Sequence, residues 1–261
     1  MLLRPLRIVL QNTMHNMFEY ELSKEFEETV EAARQMFYCV KRSKMDDKIF
    51  CGICLDQAVG IVRDILTNKR IEDNQRTDIK GMYVTKPELR RLILVLESPH
   101  VDEFDKEGNP LGPAHGSARF GTANGIIHYL ESIIGSLCDG FFERELIFVN
   151  AIQFQCSQGL KLRGKGCEFN REQKDLVFEK LLDCKSFVDD FIVRLKNVYR
   201  CDCGDIVVNV VGLNSLASCK VGRLIQNVTG QCSCGIGHPS AWHVSKQNAS
   251  KLAREIFKKS E

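Results

Sequence analysis

Four short apolar runs punctuate the chain: Leu92-Ile-Leu-Val-Leu96, Leu146-Ile-Phe-Val149, Ile206-Val-Val-Asn-Val-Val211 and Cys232-Ser-Cys-Gly-Ile236. Each is bounded by charged or turn-forming residues, and their near-continuous apolar character is that of strands buried on both faces. Segments with helical spacing separate them, at about 123–134, 171–198 and 213–227, and another at 245–259 follows the last. Strands alternating with helices predict an α/β fold, a three-layer α/β/α sandwich around a central, mostly parallel four-stranded sheet. Upstream, Phe26, Val30, Ala33, Met36, Phe37 and Val40 recur at helical intervals, so 20–70 reads as two helices, followed by a polar stretch over 68–78. The expected organisation is an N-terminal helical region over 1–90 packing on a core domain over 91–261.

Composition narrows this picture only slightly. With 261 residues and 44% hydrophobic content the chain can bury a substantial core. A formal charge of +2 is uninformative, because any basic surface must come from local segregation of the 36 Lys and Arg. No apolar run approaches the roughly 20 residues of a membrane helix, and the Met1-Leu-Leu-Arg-Pro-Leu-Arg7 start lacks the features of a secretory signal. A cytoplasmic protein with no membrane partner is expected, so the 12 cysteines read as thiols or metal ligands rather than disulfides. A monomer is the expected state.

Ligands of open α/β sheets bind beyond the carboxyl ends of the strands, so the residues after each run matter most. After the first come Glu97, Ser98, Pro99 and His100; after the second, Asn150 and Gln153; after the third, Asn214 and Ser215; after the fourth, His238, Pro239 and Ser240. Turn-rich polar loops are ordinary at strand ends. Four such ends in order are less so.

These residues resemble the uracil-DNA glycosylase superfamily. Leu96-Glu-Ser-Pro99 is similar to the first motif of its iron-sulfur branch, and Gly112-Pro-Ala-His-Gly-Ser-Ala-Arg-Phe120 to the Gly-rich segment that stacks an aromatic ring on an extruded base. Val149-Asn150 resembles the element that reads the base edge, and His238-Pro-Ser-Ala-Trp242 the second catalytic loop. The resemblance spans about 91–259, making 91–261 the glycosylase-like domain. It implies a monofunctional DNA glycosylase that flips a pyrimidine out of single- or double-stranded DNA and hydrolyses its N-glycosidic bond, leaving an abasic site.

The chemistry suits the residue types. Cleavage creates an oxocarbenium-like sugar and an anionic base, so one side needs a carboxylate and the other a hydrogen-bond donor. Glu97 is the expected water-activating and cation-stabilising group, and His238 the expected donor to the base. Base binding falls to Phe120 as stacking ring, Asn150 as edge reader, Ser98 and His100. An isolated Phe would otherwise read as core. Trp242, the single tryptophan, occupies the place of the wedge that fills the gap left by the flipped base. Ser240, His243 and Ser215 are further DNA contacts, joined by Lys161, Arg163 and Lys165, whose stretch is equally that of a solvated loop.

His100 departs from the family, which has a glycine or a tyrosine there, and the polar loop over 101–113 is long. His100 leaves base choice unsettled, and the loop has the length to enlarge the pocket for a modified pyrimidine, leaving open uracil repair and defence against phage DNA carrying modified cytosine. The chemistry requires no cofactor. Two structural metal sites are compatible with the cysteines: an iron-sulfur cluster on Cys51, Cys54, Cys156 and Cys167, in an order like that of the iron-sulfur branch, or a zinc on Cys201, Cys203, Cys232 and Cys234. The second set assumes strands, on which alternate residues face the same side. Buried free thiols remain the plain alternative. Two rival functions also stand: a non-catalytic DNA-binding protein on the same fold, and a nucleotide-processing α/β enzyme. Against the latter, no Gly-rich phosphate loop follows any strand.

Overall fold

The computed structural model describes residues 57–68, 88–99, 103, 119–153, 178–179, 181–212, 216–231, 233 and 235–258. Its framework is one four-stranded sheet. The strands are β1 (Gln57–Ile61), β2 (Arg91–Leu96), β3 (Glu145–Asn150) and β4 (Ile206–Asn209), in spatial order β1-β3-β2-β4. β2 pairs in parallel with both β3 and β4, and β1 runs antiparallel along the outer edge of β3.

One of these strands, and one expected strand, correct the sequence reading. Residues 57–61 were expected within a helical region, yet they form β1, with the register shifting between Ala58 and Gly60, where Gly60 takes φ 125°. Helical periodicity is a local signal. It does not register that the edge of β3 offers a row of unpaired backbone groups that five residues of extended chain satisfy. Conversely, the segment expected as the fourth strand is not one in its described residues. It nonetheless runs beside β4 and in the same direction: the Gln231 side chain accepts from Val207 N–H (3.1 Å) and donates to Asp205 O (2.9 Å), and Ile236 N–H donates to Asn209 O (3.0 Å). A side-chain amide takes the place of ladder bonds at one end.

The helices are α1 (Val62–Asn68), α2 (Asn124–Ile134), α3 (Lys185–Val198), α4 (Leu216–Thr229) and α5 (Trp242–Lys258). Alternation along the strands divides the core in two. Ile93, Val95, Ile147 and Val149 pack with Phe187, Phe191 and Leu195 of α3 and Val221 and Ile225 of α4. Leu92, Leu94, Leu146 and Phe148 pack with Ile65 of α1, Ile126 and Leu130 of α2 and Trp242, Ala249 and Ala253 of α5. Both faces of β2 and β3 are dry, which explains why their sequences show no polar alternation.

The amino-terminal end of the sheet is closed by buried charge. Asp205 accepts from the backbone of Arg91 (2.8 Å) and from Arg200 Nε and Nη2 (3.0 Å each), while Arg144 Nη1 donates to the carbonyls of Gly204 (2.7 Å) and Arg91 (3.2 Å). Fixing this end leaves the opposite end for chemistry. Among the described residues no helix is long and apolar enough to cross a membrane.

Candidate active site

The chain leaves β2 toward β3 on one side and later returns to β4 on the other, so β2 is where the winding reverses. A crevice opens beyond the carboxyl ends of strands at such a reversal. Glu97 is the first residue past β2, and it is buried at 6% exposure. Its backbone is held in the sheet's extension, because Ile152 N–H donates to Glu97 O (3.1 Å) and Val210 N–H to Val95 O (2.9 Å). Pro99 is buried behind it, and Ser98 Oγ is buried with no hydrogen-bond partner among the described residues.

Asn150 ends β3 opposite Leu96 and is buried at 1% exposure. Sequence reasoning missed the residue that braces it. Arg194 of α3 donates to Asn150 O (3.0 Å) and Ala151 O (3.4 Å), is ion-paired to Asp190 (2.7 Å), and lies over the Phe191 ring at 5.9 Å. On the sequence, Asp190 and Arg194 look like a solvated i,i+4 pair. Only the packing of α3 on the sheet turns that pair toward a strand end. Glu103, a further buried acid after β2 among the described residues, was likewise passed over as part of a polar loop.

The His-Pro-Ser loop arrives at the same end from the segment beside β4. Gly237 turns the chain with φ 90°, a conformation that side chains resist, and His238 then starts a 3₁₀ turn over Pro239–Ala241. Ser240 orders both neighbouring histidines. Its N–H donates to His238 Nδ1 (3.3 Å) and its hydroxyl approaches the same nitrogen at 2.7 Å, whereas its carbonyl accepts from His243 Nδ1 (2.9 Å). A nitrogen that accepts from a backbone N–H carries no proton, so neutral His238 holds its proton on Nε2. His243, bonded to a carbonyl, holds one on Nδ1.

The loop is seated on the start of α2 with no space between them. A Cβ added at Gly125 would lie 1.9 Å from Pro239 O, and one at Gly121 would lie 3.4 Å from Ser240 Cβ. The start of α2 and the His-Pro-Ser loop are thus one unit. Phe120 lies in the π-helical turn Arg119–Ala123 that leads into α2, although its side chain is outside the described residues.

Trp242 departs from its expected place as a wedge. It is fully buried among the residues of α2 and α5, with Nε1–H donating to Gly237 O (2.9 Å). An intercalating side chain has to protrude, so in this conformation Trp242 is a core residue that ties down the turn before His238. Among exposed apolar side chains, Leu216 begins α4 and Val244 lies in the first turn of α5.

The zinc reading places Cys201 and Cys203 at the start of a strand. They sit instead on a 3₁₀ turn before β4, both exposed, so strand alternation does not bring them to one side. Among the described residues, no group of three His, Cys, Asp or Glu could hold a metal ion. Cys232, Cys234, Cys51, Cys54, Cys156 and Cys167 lie outside the described residues, as do His100, Ser215, Lys161, Arg163 and Lys165. Comparison with protein-family models, with curated proteins and with solved structures finds no match to this chain.

Proposed function

We propose that this chain is a DNA glycosylase: it flips a pyrimidine into the crevice at the carboxyl end of the sheet and hydrolyses its N-glycosidic bond. The observation that carries the reading is the arrival of three elements at that end. A buried carboxylate follows β2, a buried asparagine ends the neighbouring strand, and the loop clamped against α2 presents a histidine with its proton on Nε2. A neutral Nε2–H donor suits an anionic leaving base, because it stabilises developing charge without first surrendering a proton. Glu97 is the group that orients water and faces the positive sugar, and Asn150 reads the base edge by both donating and accepting. On the same reading the two helix-lined core clusters are the outer layers of a three-layer α/β/α sandwich, and the substrate is a uracil or a modified cytosine.

The test uses duplex and single-stranded oligonucleotides, each carrying one uracil or one 5-substituted cytosine, scored for abasic sites by alkaline cleavage. The native chain is expected to release at least one of these bases. Glu97→Gln should slow release about 10²- to 10⁴-fold, and His238→Gln about 10²-fold, with the fold retained. Release of no base by the native protein, or full activity in Glu97→Gln, would remove the proposal. Unchanged DNA binding in Glu97→Gln alongside an inactive native protein would instead identify a binding module.

A further inference from the structure

We infer that the outer face of α5 is a phosphate-tracking surface, which leads the backbone of duplex DNA from the His-Pro-Ser loop along the helix. The inference rests on the DNA reading above and adds a surface to it. α5 carries Lys246, Lys251, Arg254 and Lys258 against one acid, Glu255. Its buried side is given by Trp242, Ala249 and Ala253. On the helical wheel, His243, Gln247, Lys251 and Arg254 follow one another at four-, four- and three-residue steps along the opposite side, with Lys246 flanking them. All five are exposed, and so is Glu255, which lies four residues past Lys251 at the edge of the line, beside Val244 and Asn248.

Several cations elsewhere are paired, although Lys185, Lys196 and Arg223 also make no ion pair among the described residues, so what marks α5 is that its cations stand in line. Arg63, Arg90, Arg194, Arg200 and Lys220 each face an acid. Lys246, Lys251 and Arg254 make no ion pair among the described residues. The one acid on α2, the helix packed beside α5, is Glu131, and it bridges to none of them. The line from His243 to Arg254 covers about 16 Å of helix, long enough to meet successive phosphates of one strand. It begins where the candidate site ends, because His243 is bonded to Ser240. An overall charge of only +2 conceals this segregation.

The experiment is fluorescence anisotropy of the full chain with an unmodified 20-base-pair duplex across a salt series. The triple variant Lys246→Ala/Lys251→Ala/Arg254→Ala is expected to flatten the plot of log affinity against log salt by about 3. The charge-keeping variant Lys246→Arg/Lys251→Arg/Arg254→Lys should restore the native slope. A triple variant with the native slope, or a native chain whose duplex binding does not respond to salt, would overturn the inference. The two readings fail separately: base release by a native protein whose slope the triple variant leaves intact sinks the stripe alone, and a lost slope without base release sinks the glycosylase reading alone.

Discussion

Two side chains show how burial redirects a residue that the sequence marks as reactive. Trp242 stands in a loop of catalytic appearance, but its ring fills the space between α2 and α5, and its N–H holds Gly237. Trp242→Phe should therefore cost about 2–3 kcal/mol in urea denaturation, from lost volume and a lost hydrogen bond, with the affinity for intact duplex unchanged. A stable variant with weakened DNA binding would restore the wedge. Cys138 makes the same point through its proton. Buried at 3% exposure in the α2 side of the core, its thiol is pushed up to about 11 by burial. The folded state then favours the neutral form, so its contribution is complete below the unfolded pKa near 9 and is lost as pH rises toward 11. Titrating stability over that window should show a fall of about 3 kcal/mol that is absent in Cys138→Ala. An identical slope in both proteins would assign the fall elsewhere.

At the scale of elements, the contact between α2 and the His-Pro-Ser loop is the joint on which the site depends. Gly125 carries no side chain because Pro239 O occupies that space. Gly125→Ala should displace the loop or the helix, lowering stability by about 1–3 kcal/mol and shifting His238. Base release should fall more than the melting temperature suggests. An alanine variant with native stability and activity would mean that the joint is pliable. Gly222 is a parallel case on the other face, where a Cβ would lie 2.2 Å from Ser233 O, bringing α4 hard against the segment beside β4. The ends of β2, β3 and β4 were legible because these strands are short and apolar on both faces. What went unread was pairing. The amide of Gln231 in place of a ladder, and Arg194 bracing a strand 44 residues away, depend on contacts that no local period encodes.

For the whole molecule, the consequence lies in where the core begins. A boundary at residue 91 cuts through the sheet, because β1 covers the edge of β3 and Val59, Val62 and Ile65 fill the core on the α2 side. A chain starting at Arg91 is expected to unfold at markedly lower urea, by at least about 3 kcal/mol, and to self-associate through the uncovered edge. Equal midpoints for the short and full chains would show that the core is complete without β1.

The sequence by itself determined β2, β3 and β4 and the helices between them, and with them the polar residues that follow Leu96 and end β3 at one end of a mostly parallel sheet. Those features follow from local spacing: apolar runs too short for helices, and turn residues at fixed offsets. Tertiary structure decided which edge β1 covers, that Trp242 lies inside, that Ser240 fixes the proton of His238 on Nε2, and that Lys246, Lys251 and Arg254 make no ion pair among the described residues. Each of these is a relation between groups far apart in the chain or turned to one side of a helix. Packing, hydrogen-bond direction and charge pairing exist only after the layers have come together.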